Sequence, residues 1–152
     1  MIRLFLAFTS LLPLKVNHSF GSFIGYLLYL FNSEAKSVSK QNLEICFPGL
    51  SELELKSLLK KVLTETGKGL TESGLIWNQN FTDNAKLVRN INGEHYLDSS
   101  KKTILLVPHT GCWEITGRVL AEKRKVTFMY RPLRSNKQND YLFSRRNQGN
   151  LT

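Results

Sequence analysis

The segment Thr103-Ile104-Leu105-Leu106-Val107 is short, apolar and rich in β-branched residues, bounded by Lys101-Lys102 before it and Pro108 after it. That pattern reads as a buried strand. Behind it, Glu114-Ile115-Thr116-Gly117-Arg118-Val119-Leu120-Ala121 carries apolar residues at helical spacing and an acidic residue suited to a helix N-terminus. Strand, tight turn and helix in that order constrain the fold more than any other part of the chain. The intervening Pro108-His109-Thr110-Gly111-Cys112-Trp113 contains one histidine placed five residues before Glu114. On one continuous helix, two such residues would lie about 140° apart around the axis. A turn is therefore needed to bring them together, and Gly111 permits it.

The same reading extends along the chain. Lys86 to Asn92 alternates polar and apolar residues as a strand does, and Lys125 to Tyr130 reads as a third strand ended by Arg131-Pro132. Ser51-Glu52-Leu53-Glu54 opens a helix with a capping residue and an acidic first turn, continuing to about Asn80 with a bend at Gly67 and Gly69. Ser33 to Asn42 suits a solvated helix or linker, His95 and Tyr96 a short helix, and Ser135 to Arg146 a polar helix. Strands separated by helices imply an α/β fold, with a mainly parallel sheet sandwiched by helices.

Residues 1–31 stand apart. Leu4 to Leu14 and Phe20 to Phe31 are apolar runs separated by Lys15-Val16-Asn17-His18-Ser19. Neither reaches the roughly 18 to 20 residues of a membrane span, and the first lacks a small-residue cleavage site. Joined, they suit an apolar helical anchor that lies in or dips into a bilayer, with Gly21, Gly25 and the aromatics at the lipid interface. The expected organisation is thus an anchor over 1–31 and an α/β domain over 32–152.

Composition excludes other classes. The chain has 152 residues, 41% of them hydrophobic, which rules out a disordered tail. Its formal net charge is +9. Of that excess, Lys123, Arg124, Lys125, Arg131, Arg134, Lys137, Arg145 and Arg146, set against Glu122 and Asp140, supply +6 after Val119. Aromatics do not interleave with this basic segment as a nucleic-acid stacking platform requires, so no nucleic-acid partner is expected. Cys46 and Cys112 are too few and too far apart for a zinc site or a disulfide framework, and no metal or cofactor motif appears.

His109 and Glu114 are the candidate catalytic pair. A carboxylate can hold an imidazole in one tautomer while the other ring nitrogen takes a proton from an attacking hydroxyl. At these residues the chain resembles the bacterial lipid A late acyltransferases, the lauroyl and myristoyl transferases of the glycerolipid acyltransferase superfamily, whose hallmark is His-x4-Asp/Glu. The resemblance spans nearly all of the chain. It includes Leu12-Pro13 with Gly21 and Gly25, Asn42-Leu43-Glu44-Ile45-Cys46-Phe47-Pro48, and Asn92-Gly93-Glu94-His95. It continues through His109 to Glu114, Tyr130-Arg131-Pro132 and Arg145-Arg146-Asn147-Gln148-Gly149, and departs from the family pattern at Pro108 and Cys112.

The resemblance implies an acyltransferase of lipopolysaccharide biosynthesis at the cytoplasmic face of the inner membrane of a Gram-negative bacterium. The donor would be a fatty acyl thioester on acyl carrier protein, and the acceptor a hydroxyl of a phosphorylated lipid A precursor, with membrane lipids as further contacts and no cofactor. His109 would be the base and Glu114 its orienting acid. Arg146, Arg145, Arg131, Tyr130 and Gly111 would bind substrate, with backbone N–H groups near Gly111 or an arginine facing the oxyanion. The chain would be the N-terminal portion of such an enzyme. The alternatives are a glycerophospholipid acyltransferase sharing the same dyad, or an inactive membrane-associated fragment.

Overall fold

The computed structural model describes residues 2–97, 102–133 and 135–146. Seven α-helices account for most of them: α1 (Ile2–Ser10), α2 (Leu14–Leu30), α3 (Glu34–Cys46), α4 (Glu52–Asn78), α5 (Phe81–Ala85), α6 (Trp113–Lys123) and α7 (Asn136–Arg146). A single 3-10 turn, Glu94–Tyr96, lies between α5 and α6. The chain divides into two compact units, residues 1–74 and 75–152, with the boundary inside α4.

In the first unit, the helices start where local chemistry can cap them. Ser33 Oγ accepts the Lys36 N–H at α3. At α4, Ser51 and Glu54 form a reciprocal box, the Glu54 carboxylate accepting the Ser51 backbone N–H (2.8 Å) and hydroxyl (2.6 Å). The core gathers Leu43 of α3 with Leu59 and Leu63 of α4, flanked by Leu28 and Tyr29 of α2. Glycines allow α2 and α4 to cross at close range. A Cβ on Gly25 would lie 2.2 Å from the Leu63 carbonyl oxygen, and one on Gly67 would lie 2.1 Å from the Gly21 carbonyl oxygen. Beside the crossing, the buried Asn17 donates through Nδ2 to the carbonyls of Thr9 (2.9 Å) and Thr71 (3.1 Å), and Thr71 Oγ1 donates back to the Asn17 carbonyl. His18 meets Glu72 at 2.5 Å.

This arrangement corrects two expectations for residues 1–31. Gly21 and Gly25 are buried against α4 and are not placed at a lipid interface. The inner-membrane expectation is corrected to this extent: no described helix is long and apolar enough to cross a membrane. The 17 residues of α2 rise only about 26 Å and carry Lys15, Asn17 and His18 in the first turns. The long α4 is studded with charge.

The expected α/β sandwich is overturned as well: the described residues are helical and hold no β-sheet. Residues 103–107 form no strand among the described residues, and Ile104 and Leu106 are about nine-tenths exposed. Lys86 to Asn92 is not a strand either. Lys86 closes α5, and the N–H groups of Leu87 and Val88 bond back to Asn84 and Ala85. Of 125–130, only Val126 makes an isolated bridge. The physical reason is that a helix satisfies its backbone within itself, whereas a strand needs partners distant in sequence, which hydrophobic alternation does not supply.

The second unit is built on α6 and α7. Leu75, Ile76, Leu120, Ala121 and Leu142 are its buried apolar residues. Asn80 caps α5 through its side chain, and the buried Asn84 donates to the Ile76 carbonyl at 3.0 Å.

Candidate active site

The site is assembled at the start of α6. Gly111 has φ +58, and an added Cβ would meet nothing within 4 Å, so glycine is needed there for the left-handed backbone and not for space. The turn sets Cys112 as the N-cap of α6 and Glu114 in its first turn. His109 stands before the turn with its ring against Trp113, centroids 4.4 Å apart. His109 and Glu114 line the same cleft, of about 670 Å³, together with Trp77, Arg118, Arg131 and Arg146. The apolar wall consists of Leu105, Val107, Phe128, Met129 and Phe143. The exposed face of the 103–107 segment is thus opposed by a face that contributes to the cleft.

Glu114 is held by three donors. Arg146, in the last turn of α7, forms a two-pronged ion pair with it, Nη2 to Oε1 and Nε to Oε2, the latter at 3.2 Å. Trp77 Nε1 donates to Oε2 at 3.1 Å. Both line the cleft, but no hydrogen bond or ion pair joins Glu114 directly to His109. The Arg146 guanidinium sits among three aromatic rings, 5.5 Å from the Trp77 centroid, 5.6 Å from Trp113 and 5.9 Å from Tyr130.

The other expected residues divide in the same way. Tyr130 lines the cleft, and its hydroxyl bonds Asn139 Oδ1, an oxygen that also accepts the Leu133 N–H at 3.0 Å. Arg131 lines the cleft beside it. Arg145 does not; its guanidinium lies over the Tyr141 ring at 5.4 Å. Gly111 shapes the turn from outside the cleft lining. Asn147, Gln148, Gly149 and Arg134 lie outside the described residues. Among the described residues, no three His, Cys, Asp or Glu side chains gather as metal ligands.

Sequence reasoning missed Arg118 and Trp77. Arg118 is buried, and its Nη2 donates to the carbonyls of Arg145 (2.8 Å) and Trp77 (3.4 Å). Burial pushes this guanidinium below its ordinary value, with Glu114 opposing the shift and Arg145 adding to it. Its position four residues after Glu114 on one helix was a usable signal of a shared face. Trp77 carried no such signal, since it ends a long helical stripe that otherwise packs.

Residues 2–152 match the family described as bacterial lipid A biosynthesis acyltransferase. The chain belongs to this family. Among curated lipid A acyltransferases, the chain is 32% identical over 124 residues to the lipid A biosynthesis lauroyltransferase of Escherichia coli K12, covering 80% of this chain and 40% of that protein. It is 26% identical over 121 residues to a lipid A biosynthesis acyltransferase of Haemophilus influenzae, covering 77% of this chain and 37% of that one. The lipid A biosynthesis palmitoleoyltransferase of E. coli K12 is 27% identical over 128 residues, covering 80% and 40%. The chain therefore spans about 40% of the length of the lipid A acyltransferases it matches. No solved structure matches it.

Proposed function

We propose that this chain carries the acid/base centre of a lipid A acyltransferase, with His109 as general base and Glu114 as the group that orients it. The observation that carries this reading is that both residues open onto one cleft at the head of α6, beside an apolar wall suited to a fatty acyl chain. The donor is a fatty acyl thioester on acyl carrier protein, and the acceptor is a hydroxyl of a phosphorylated lipid A precursor. Relatives named for lauroyl and palmitoleoyl transfer support a fatty acyl donor. Family membership favours the lipid A acceptor over a glycerol-based one.

In the proposed reaction, one His109 ring nitrogen takes the acceptor hydroxyl proton as that oxygen attacks the thioester carbonyl. Glu114 takes the N–H of the other ring nitrogen only as the site closes on substrate, since the two make no hydrogen bond in the free chain, and it then stabilises the imidazolium. The tetrahedral intermediate collapses with cleavage of the C–S bond, and His109 returns the proton to the departing thiolate. The oxyanion needs a donor, a contribution typically worth about 3 to 4 kcal/mol. Arg131 suits this role because it borders the cleft. Arg146, by contrast, is engaged with Glu114.

The test is transfer of a radiolabelled acyl group from acyl carrier protein to a lipid A precursor by the native polypeptide that carries this sequence. His109→Ala and Glu114→Ala should each reduce the rate by about 10² to 10⁴-fold without unfolding the protein. A His109→Ala protein as active as its parent would refute the assignment.

A further inference from the structure

We propose that Trp77 is a positioning residue for the site: its indole N–H fixes Oε2 of Glu114 and leaves Oε1 as the oxygen that serves His109. The inference rests on the reading of Glu114 as the orienting acid. An ionised carboxylate offers about two acceptor positions on each oxygen. Oε2 is filled by Trp77 Nε1 at 3.1 Å and Arg146 Nε at 3.2 Å, whereas Oε1 receives Arg146 Nη2 alone among the described residues. Among the described residues, one acceptor position on Oε1 is therefore open. An indole N–H can only donate, so the direction of the Trp77 bond is not in question.

Trp77 also touches the cation. Its ring lies 5.5 Å from Arg146 Cζ, so one side chain donates to the carboxylate and offers its π face to the guanidinium paired with it. The backbone under both groups is tied by one side chain, because Arg118 Nη2 holds the Trp77 carbonyl and that of Arg145, the neighbour of Arg146. Rotation of Glu114 about its last bond would break the Trp77 bond and the two-pronged pair together. That coupling is what a group meant to present one chosen oxygen requires.

Trp77→Phe deletes the N–H and keeps an aromatic ring. Assayed in the native polypeptide, it should lower kcat about tenfold, the order expected for a hydrogen bond to a charged group, and leave KM within about twofold. In a Glu114→Ala background the same substitution should change kcat by less than about twofold. An equal loss in both backgrounds would mean a structural role, and would overturn the proposal. So would a silent Trp77→Phe in a protein that Glu114→Ala disables. Full activity of Glu114→Ala would instead remove the reading of Glu114 on which this inference rests.

A second measurement needs neither turnover nor a Trp77 variant that folds well. In the ¹H–¹⁵N spectrum of the native polypeptide, the Trp77 indole resonance is identified by through-bond assignment, apart from that of Trp113. In Glu114→Ala, the Trp77 indole N–H should exchange with water at least about tenfold faster. Unchanged exchange would overturn the hydrogen bond on which positioning depends.

Discussion

Arg146 grips Glu114 with two nitrogens of one guanidinium, across α7 and α6, in a pair whose carboxylate side is only 15% exposed. A planar fork matches a carboxylate edge in a way that a single ammonium cannot. Arg146→Lys should therefore cost little stability, about 1 kcal/mol after solvent screening, seen as a melting shift of a few degrees. Acyl transfer should fall much further, by about tenfold, because Glu114 regains rotational freedom. Equal activity of the Lys variant would show that charge alone suffices.

What could be read from the sequence was local. The Ser51 cap, α6 from Trp113, α7 to Arg146 and the bend at Gly111 all follow from neighbours within a turn or two, and the structure places them there. The sheet was not legible, because the apolar runs at 103–107 and 125–130 say nothing about which backbone would pair with them. Gly21, Gly25 and Gly67 read as lipid-facing or bending residues for a related reason: small side chains at a four-residue interval signal close approach, but not to what. Of the site, His109 and Glu114 stood out through spacing and resemblance. The engagement of Glu114 by Arg146 and Trp77 joins residues 32 and 37 positions away, and no pattern within one element encodes it.

Gly111→Ala should slow transfer more than it destabilises the chain. No atom obstructs the new Cβ, so the cost is that of a left-handed backbone for an L-residue, about 1 to 2 kcal/mol. Asn tolerates that region better than Ala or Val. The expected order of activity is therefore parent, then Asn, then Ala, then Val. A Val variant matching the Asn variant would show that the turn does not set the position of His109.

The Ser51–Glu54 box predicts how α4 responds to acid. Hydrogen bonds from the Ser51 hydroxyl and backbone hold the Glu54 carboxyl below its ordinary value of 4.5. A carboxyl whose folded value is depressed contributes stability that is fully present above the unfolded value and lost as pH falls through the folded one. Glu52, lowered by Lys56, and Asp83, lowered by Lys86, have the same sign. Thermal melts followed by circular dichroism should be flat in these groups down to about pH 5 and then fall. Glu54→Gln should weaken that fall, and Ser51→Ala should lower the melting temperature more at pH 7 than at pH 3.

Two glycines of α4, one turn of sequence apart or less, should respond to alanine with opposite signs. At Gly67 a Cβ would lie 2.1 Å from the Gly21 carbonyl oxygen and 2.6 Å from the Gly25 nitrogen, both backbone atoms that cannot step aside. Gly67→Ala must therefore separate α2 from α4. The separation loosens the packing of Leu28 and Tyr29 on Leu59 and Leu63, a cost of about 1 to 3 kcal/mol or more. At Gly69 nothing lies within 4 Å, so the substitution only improves helix propensity, by about 1 kcal/mol. Urea titrations of the two variants should move the midpoint down for Gly67→Ala and up for Gly69→Ala. If both rose, α2 would not be seated on the Gly67 face, and the close crossing would be wrong. If both fell, α4 would need flexibility along this stretch, and Gly69 would serve something other than an open helix surface.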